Sequence, residues 1–141
     1  MEEKKEGHVD IKDFGPDVIE AMLKFMYAST VPSNEAGREH LAEVMKAADQ
    51  YQLYLLKNAC EESLCSGLNM KNCLISLILG DMYQAEMLKR CSKKMLFENV
   101  NEVFTQSSDD WARCVKNHPD LTVEITTEMA RTHGLSNPNG E

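Results

Sequence analysis

Residues 41–67 read LAEVMKAADQYQLYLLKNACEESLCSG, and their periodicity decides the fold class. Leu41, Val44, Met45, Ala48 and Tyr51 share one stripe with i, i+3, i+4, i+7 spacing, the pattern of an amphipathic helix. Leu53, Leu56, Cys60 and Leu64 form a second stripe that starts almost at once, so two helices are joined by a tight turn. Gly67 supplies a stop, since glycine is the usual residue just past a helix end. The expectation is an all-α fold built of antiparallel helix pairs.

Upstream, Val9 and Ile11 alternate with His8, Asp10 and Lys12, which predicts one short N-terminal strand. Gly15-Pro16 then opens a helix. Pro16 suits its first position, Asp17 its first turn, and Phe14 and Ile19 are spaced for a hydrophobic staple. Ile19, Met22, Leu23 and Met26 form its inward stripe, and it ends near Tyr27 to Ser29. STVPSNEAG, residues 29–37, is a loop.

Downstream, Asn69 is placed to cap MKNCLISLILGDMY, a helix apolar on most sides and therefore central. Leu88, Cys91 and Met95 define the next stripe. Val100, Val103 and Phe104 face inward on a short helix, and Trp111, Cys114 and Val115 on the following one, capped by Ser108. His118-Pro119 begins the last helix, with Leu121, Ile125 and Met129 inward, and residues 134–141 form a polar, turn-rich tail. The helix pairs are solenoid-like, but no fixed sequence period marks a repeat.

The 141 residues suffice for one domain or two small helical units. A hydrophobic share of 43% and a charged share of 27% are ordinary for a globular protein. The longest apolar stretch, CLISLILG, is far too short to span a bilayer, and the first residues carry no apolar signal core. The formal charge of -8 disfavours nucleic acid as a general partner. In KRCSKK, Lys89, Arg90, Lys93 and Lys94 share one side of a helix, read as a solvated face. Five cysteines, with no CxxC pair, point to free thiols in a reducing compartment, and the expected location is intracellular, nucleus or cytoplasm. The histidines are scattered, so neither a metal nor any other cofactor is expected.

The best catalytic candidate is Cys114 with His118, one helical turn apart. Cys114 also lies on the Trp111 and Val115 stripe, which favours core filling. Asp109-Asp110 open a helix, as the dipole prefers, and Glu61-Glu62 are assigned to a solvated face. No active site emerges, and a non-enzyme is expected. The nine methionines are read mainly as core filler.

Several motifs in one order carry a resemblance. These are Met1-Glu2-Glu3, the strand Val9 to Ile11, the turn Asp13-Phe14-Gly15-Pro16, and a helix ending Phe25-Met26-Tyr27-Ala28-Ser29. AADQYQLYLLKNACEESL and WARCVKNHPDLTVE follow. The chain resembles the second part of a POZ (BTB) domain, residues 1–67, followed by a helix pair and BACK-like segment, residues 68–133, as in the speckle-type (MATH-POZ) proteins. The resemblance implies that the first half of the POZ domain and any substrate-binding domain are absent. It implies a substrate adaptor of a cullin-3 ubiquitin ligase, with Met1 as apolar anchor, Glu3 as polar contact, and Tyr27 and Tyr51 on the cullin-facing surface. For the two tyrosines, half-buried packing is an equal alternative. A rival reading is a partner that pairs with other POZ-domain proteins without cullin. Thr126 stands where the family places a self-association tyrosine, a departure that speaks against BACK-mediated assembly.

Overall fold

The computed structural model describes residues 14–30, 32 and 37–134. The expected strand at Val9 to Ile11, the Met1 to Glu3 segment and the tail from residue 135 lie outside them. Every regular element among the described residues is helical: α1 Pro16–Ala28, α2 Arg38–Gln50, α3 Tyr54–Ser66, α4 Cys73–Met82, α5 Glu86–Glu98, α6 Val100–Gln106, α7 Ser108–Asn117 and α8 Pro119–Met129. A π-helical turn, Ala130–Gly134, extends the last helix. The chain divides into two compact units, residues 1–67 and 68–141.

In the first unit, α2 and α3 form a helical hairpin. Tyr51 N–H donates to Ala47 O at 2.9 Å and Leu53 N–H to Ala48 O at 2.8 Å, while Gln52 between them takes a left-handed φ of 61°. Lys57 Nζ donates to Asp49 Oδ1 at 2.8 Å across the turn. Leu41, Val44, Met45, Ala47 and Ala48 of α2 are buried, as are Leu56, Cys60 and Leu64 of α3. The stripes expected of these two helices are thus inward, with Tyr51 and Leu53 half-buried at the turn. Arg38 donates to Leu64 O at 2.9 Å, a carbonyl in the last turn of α3 that also accepts from Gly67 N–H at 3.3 Å. Gly67 ends α3 with φ −101°, so the left-handed freedom expected of it is not used. Glu61, expected on a solvated face, is buried.

The second unit opens with the same hairpin. Tyr83 N–H donates to Leu79 O at 3.1 Å, Ala85 N–H to Gly80 O at 2.9 Å, and Gln84 takes a φ of 57°. Lys89 Nζ donates to Asp81 Oδ1 at 2.9 Å. Asp49, Tyr51, Gln52, Leu56 and Lys57 thus have counterparts in Asp81, Tyr83, Gln84, Leu88 and Lys89. The correspondence extends to the interior: Cys73, Ser76, Leu77, Leu79, Gly80, Leu88, Ser92 and Leu96 are all buried. They stand at the same spacing as the buried positions of α2 and α3. The chain therefore does contain a repeated helical hairpin, against the sequence reading. The repeat keeps its identities only around the turn, as DxYQxxxLK at a 32-residue offset, while the interior mostly keeps buried positions with different residues, so a single short matched stretch is all that marks it in the sequence.

A continuous core closes the second unit, with Cys73, Leu74, Leu77, Leu96, Val103, Cys114, Leu121 and Ile125 at its centre. Phe104 and Trp111 pack edge to face, ring centroids 4.9 Å apart. Pro119 takes the first position of α8. Asn69 Oδ1 accepts from Lys71 and Asn72 N–H, and Asn72 Oδ1 from Asn69 N–H, so the expected cap holds the turn before α4. The expected cap at Ser108 is displaced: Ser108 is the first residue of α7. Ser107 precedes it and donates its hydroxyl to Lys71 O at 3.2 Å instead of capping the helix. Val115, expected inward, is 47% exposed because the inward stripe of α7 centres on Cys114.

Candidate functional site

Chemistry first needs a reactive group, and the three buried thiols do not provide one. Burial pushes the Cys60 thiol up to about 12 and Cys73 up to about 11, and it raises Cys114 too. Cys114 Sγ lies 3.4 Å from Thr122 Oγ1. A nucleophile needs the opposite shift and a base beside it. Among the described residues, no three His, Cys, Asp or Glu side chains are grouped to hold a metal ion. No helix there is long and apolar enough to cross a membrane.

The cations of KRCSKK are not one solvated face. Lys89 reaches Asp81 and Glu124, and Lys93 reaches Glu124 and, at 3.1 Å, Glu128. These pairs join α5 to α8 and are partly shielded from water. The Lys93 hydrogen bond, helped by Lys89, holds the Glu124 carboxyl below its usual range against the opposing effect of burial. Burial disfavours the charge on both lysines, but their bonds to the carboxylates outweigh it and raise both. Only Arg90 and Lys94 of the four are exposed.

What the structure offers instead is surface, concentrated on α1. Gly15 enters the helix extended and Pro16 occupies its first position. Ser29 closes it in the left-handed region, φ 54°, with its N–H donating to Phe25 O at 2.9 Å. Val18 is the buried residue of this helix, and Met22 and Phe25, on the same side, are half-buried. The expected inward stripe is therefore corrected: Ile19 and Met22 are only half-buried, and Leu23 and Met26 turn outward. Leu23 is 44%, Met26 61% and Tyr27 86% exposed. Their i, i+3, i+4 spacing makes one contiguous apolar patch. The remaining side of α1 is polar. Asp17, Glu20 and Lys24, with Thr30, Pro32 and His40, line an open cleft of about 430 Å³. Among the described residues, none of the side chains lining this cleft is buried and unpaired, so the apolar patch is the stronger candidate.

Of the four sequence-predicted site residues, the described structure contains two, Tyr27 and Tyr51. Tyr27 is the most exposed large apolar side chain described. Tyr51 is half-buried at the end of α2, and its hydroxyl oxygen is shielded from solvent. Met1 and Glu3 lie outside the described residues. Two further exposed side chains escaped the sequence reading: Tyr54, 59%, and Leu55, 75%, at the start of α3. The signal for them was present, since both stand off the Leu53, Leu56, Cys60, Leu64 stripe.

A contiguous apolar patch left open on a helix is a feature of protein-interaction surfaces. In keeping with that, residues 1–68 match the family model of the BTB/POZ domain. The matched stretch and the first compact unit end within one residue of each other. The BTB/POZ domain is a protein-interaction domain, and such domains associate with other POZ proteins.

Proposed function

We propose that the chain works by protein–protein contact as a substrate-adaptor module of a cullin-3 ubiquitin ligase, related to the speckle-type POZ proteins. The exposed Leu23, Met26 and Tyr27 patch carries this reading. It lies on the helix that the resemblance assigns to the cullin side, within the stretch that matches the BTB/POZ domain. Tyr27 is the central anchor: an aromatic with a polar tip and few conformers to lose gives much contact at low entropic cost. Tyr51, with its hydroxyl turned away from solvent, supports the hairpin behind it. Met1 and Glu3 add an apolar anchor and a polar contact from the preceding segment. The helices from α4 onward take the role of the BACK-like segment, and the protein acts in the nucleus or cytoplasm.

The test is a calorimetric titration of the full chain with the N-terminal helical region of cullin-3. Tyr27→Ala is expected to cost about 2 kcal/mol, a more than tenfold loss in affinity. Met1→Ala with Glu3→Ala is expected to weaken binding further. Lys94→Ala, which removes an exposed charge paired with Glu98 on α5, is expected to change nothing. Absence of binding by the wild-type chain at high micromolar concentration refutes the adaptor reading. The exposed Tyr54 and Leu55 favour a second reading, association with another POZ-domain protein through α3. Mixing with a full-length POZ protein in sedimentation velocity tests it: a complex that Leu55→Glu abolishes is expected.

A further inference from the structure

Of the methionines the structure describes, Met26 and Met82 are exposed, at 61% and 51%, and the rest are buried or half-buried, with Met45 wholly inaccessible. Their thioethers thus differ in access to a dissolved oxidant. Met26 differs again from Met82 in its neighbours. It lies in the patch with Leu23 and Tyr27, where a partner's apolar surface would replace water. We propose that Met26 is a reversible oxidation site that switches this docking surface off. The proposal rests on the adaptor reading above for its partner, cullin-3, and adds regulation of the same site.

The chemistry is oxygen transfer from a hydroperoxide. The Met26 sulfur lone pair attacks the terminal peroxide oxygen, an S–O bond forms and the O–O bond breaks. Sulfur is oxidised by two electrons, and hydrogen peroxide leaves as water after proton transfer. The product sulfoxide is polar and chiral. Leu23 beside it has no hydrogen-bond donor to offer the new oxygen, and the Tyr27 hydroxyl is the one donor in the patch. Docking against an apolar partner surface would strip the oxygen of water, and a polar atom buried unpaired weakens binding by about tenfold or more. A methionine sulfoxide reductase restores the thioether, which makes the step a switch. The buried thiols compete little, since Cys60, Cys73 and Cys114 are inaccessible to peroxide. Cys65 and Cys91 are partly exposed, and their early oxidation products are reversed by a dithiol reductant that leaves sulfoxide intact.

The experiment treats the full chain with graded hydrogen peroxide, then dithiothreitol, then maps sulfoxides by mass spectrometry and titrates cullin-3. Met26 and Met82 are expected to oxidise well before Met45. Affinity should fall about tenfold in step with Met26 sulfoxide and return on reductase treatment. Met26→Leu combined with Met1→Leu, which removes both thioethers assigned to the interface, should bind with the same affinity before and after peroxide, whereas Met1→Leu alone should still lose affinity. Met82→Leu should lose affinity as the wild type does. Met26 oxidising no faster than Met45 overturns the proposal, as does an oxidised Met26 chain that binds with unchanged affinity. An untreated chain that does not bind refutes the adaptor reading itself and removes the switch with it.

Discussion

Gly80 stands on α4 against the backbone at the start of α5, and the repeat supplies its own comparison. A Cβ built on Gly80 would lie 2.8 Å from Lys89 N and 3.1 Å from Ala85 O, both backbone atoms that cannot swing aside. Ala48 holds the corresponding position in the first hairpin, with a Cβ and the same turn hydrogen bond. The geometry can therefore be met with alanine, but only by a slightly wider pair. In the second unit, widening α4 from α5 also disturbs the ion pairs from α5 to α8 and the core around Leu77 and Leu96. Two effects oppose each other in Gly80→Ala. Helix propensity favours alanine by about 1 kcal/mol. Overpacking against a backbone costs roughly 1–3 kcal/mol. The clash should win, leaving a net destabilisation of about 1 kcal/mol and a fall in melting temperature on the order of 4 °C. Circular dichroism melts and urea titration of the full chain measure it. Gly15→Ala is the control, since a Cβ there meets nothing within 4 Å. A Gly80→Ala variant more stable than the wild type would refute the close-approach argument and leave propensity as the ruling term.

The carboxylate of Glu124 carries a pH-dependent share of stability. Its folded pKa is depressed, above all by Lys93, so this stability is present above its unfolded value of about 4.3 and is lost as pH falls through the folded value. Glu124→Gln should cost about 1 kcal/mol at neutral pH, and the difference from wild type should shrink below about pH 4 in acid urea titrations; a constant difference down to pH 2 would contradict the ion-pair account. The five cysteines are free thiols of unequal access. Iodoacetamide at pH 8 should label Cys65 and Cys91 in the native chain and all five cysteines after unfolding. Rapid native labelling of Cys60 or Cys73 would contradict their burial.

The stripes of α2, α3 and α8 were legible because each meets neighbours on one side only, so 3.6-residue periodicity maps directly onto burial. Alpha-1 defeated the same reasoning. Its apolar residues cover more than half its circumference, and the pattern alone does not say which of them finds a neighbour. Val18, unmarked in the sequence reading, is buried, while Leu23 and Met26 are not. Lys89 and Lys93 misled in the opposite direction. Charges at helical spacing read as solvated, but their partners Glu124 and Glu128 lie far along the chain on α8, where no local window reaches. Gly80 was silent for the same reason, its meaning being the distance to a backbone on another helix.

These failures have a common cause, and it bears on function. Alpha-1 is read wrongly when its whole apolar surface is assigned to an interior, because periodicity assumes that large apolar groups are buried. Where the structure leaves three of them open in one patch, the folded unit does not cover them, and the partner proposed above would. Each such side chain, once covered, contributes roughly 1.5–3 kcal/mol of burial free energy. Covering Leu23, Met26 and Tyr27 together therefore supplies at most roughly 4.5–9 kcal/mol, a driving force between millimolar and micromolar affinity before the costs of association are met. For the adaptor role proposed above, that scale corresponds to a complex that forms and dissociates readily, one in which a loss of about tenfold from a single sulfoxide oxygen would decide whether it forms.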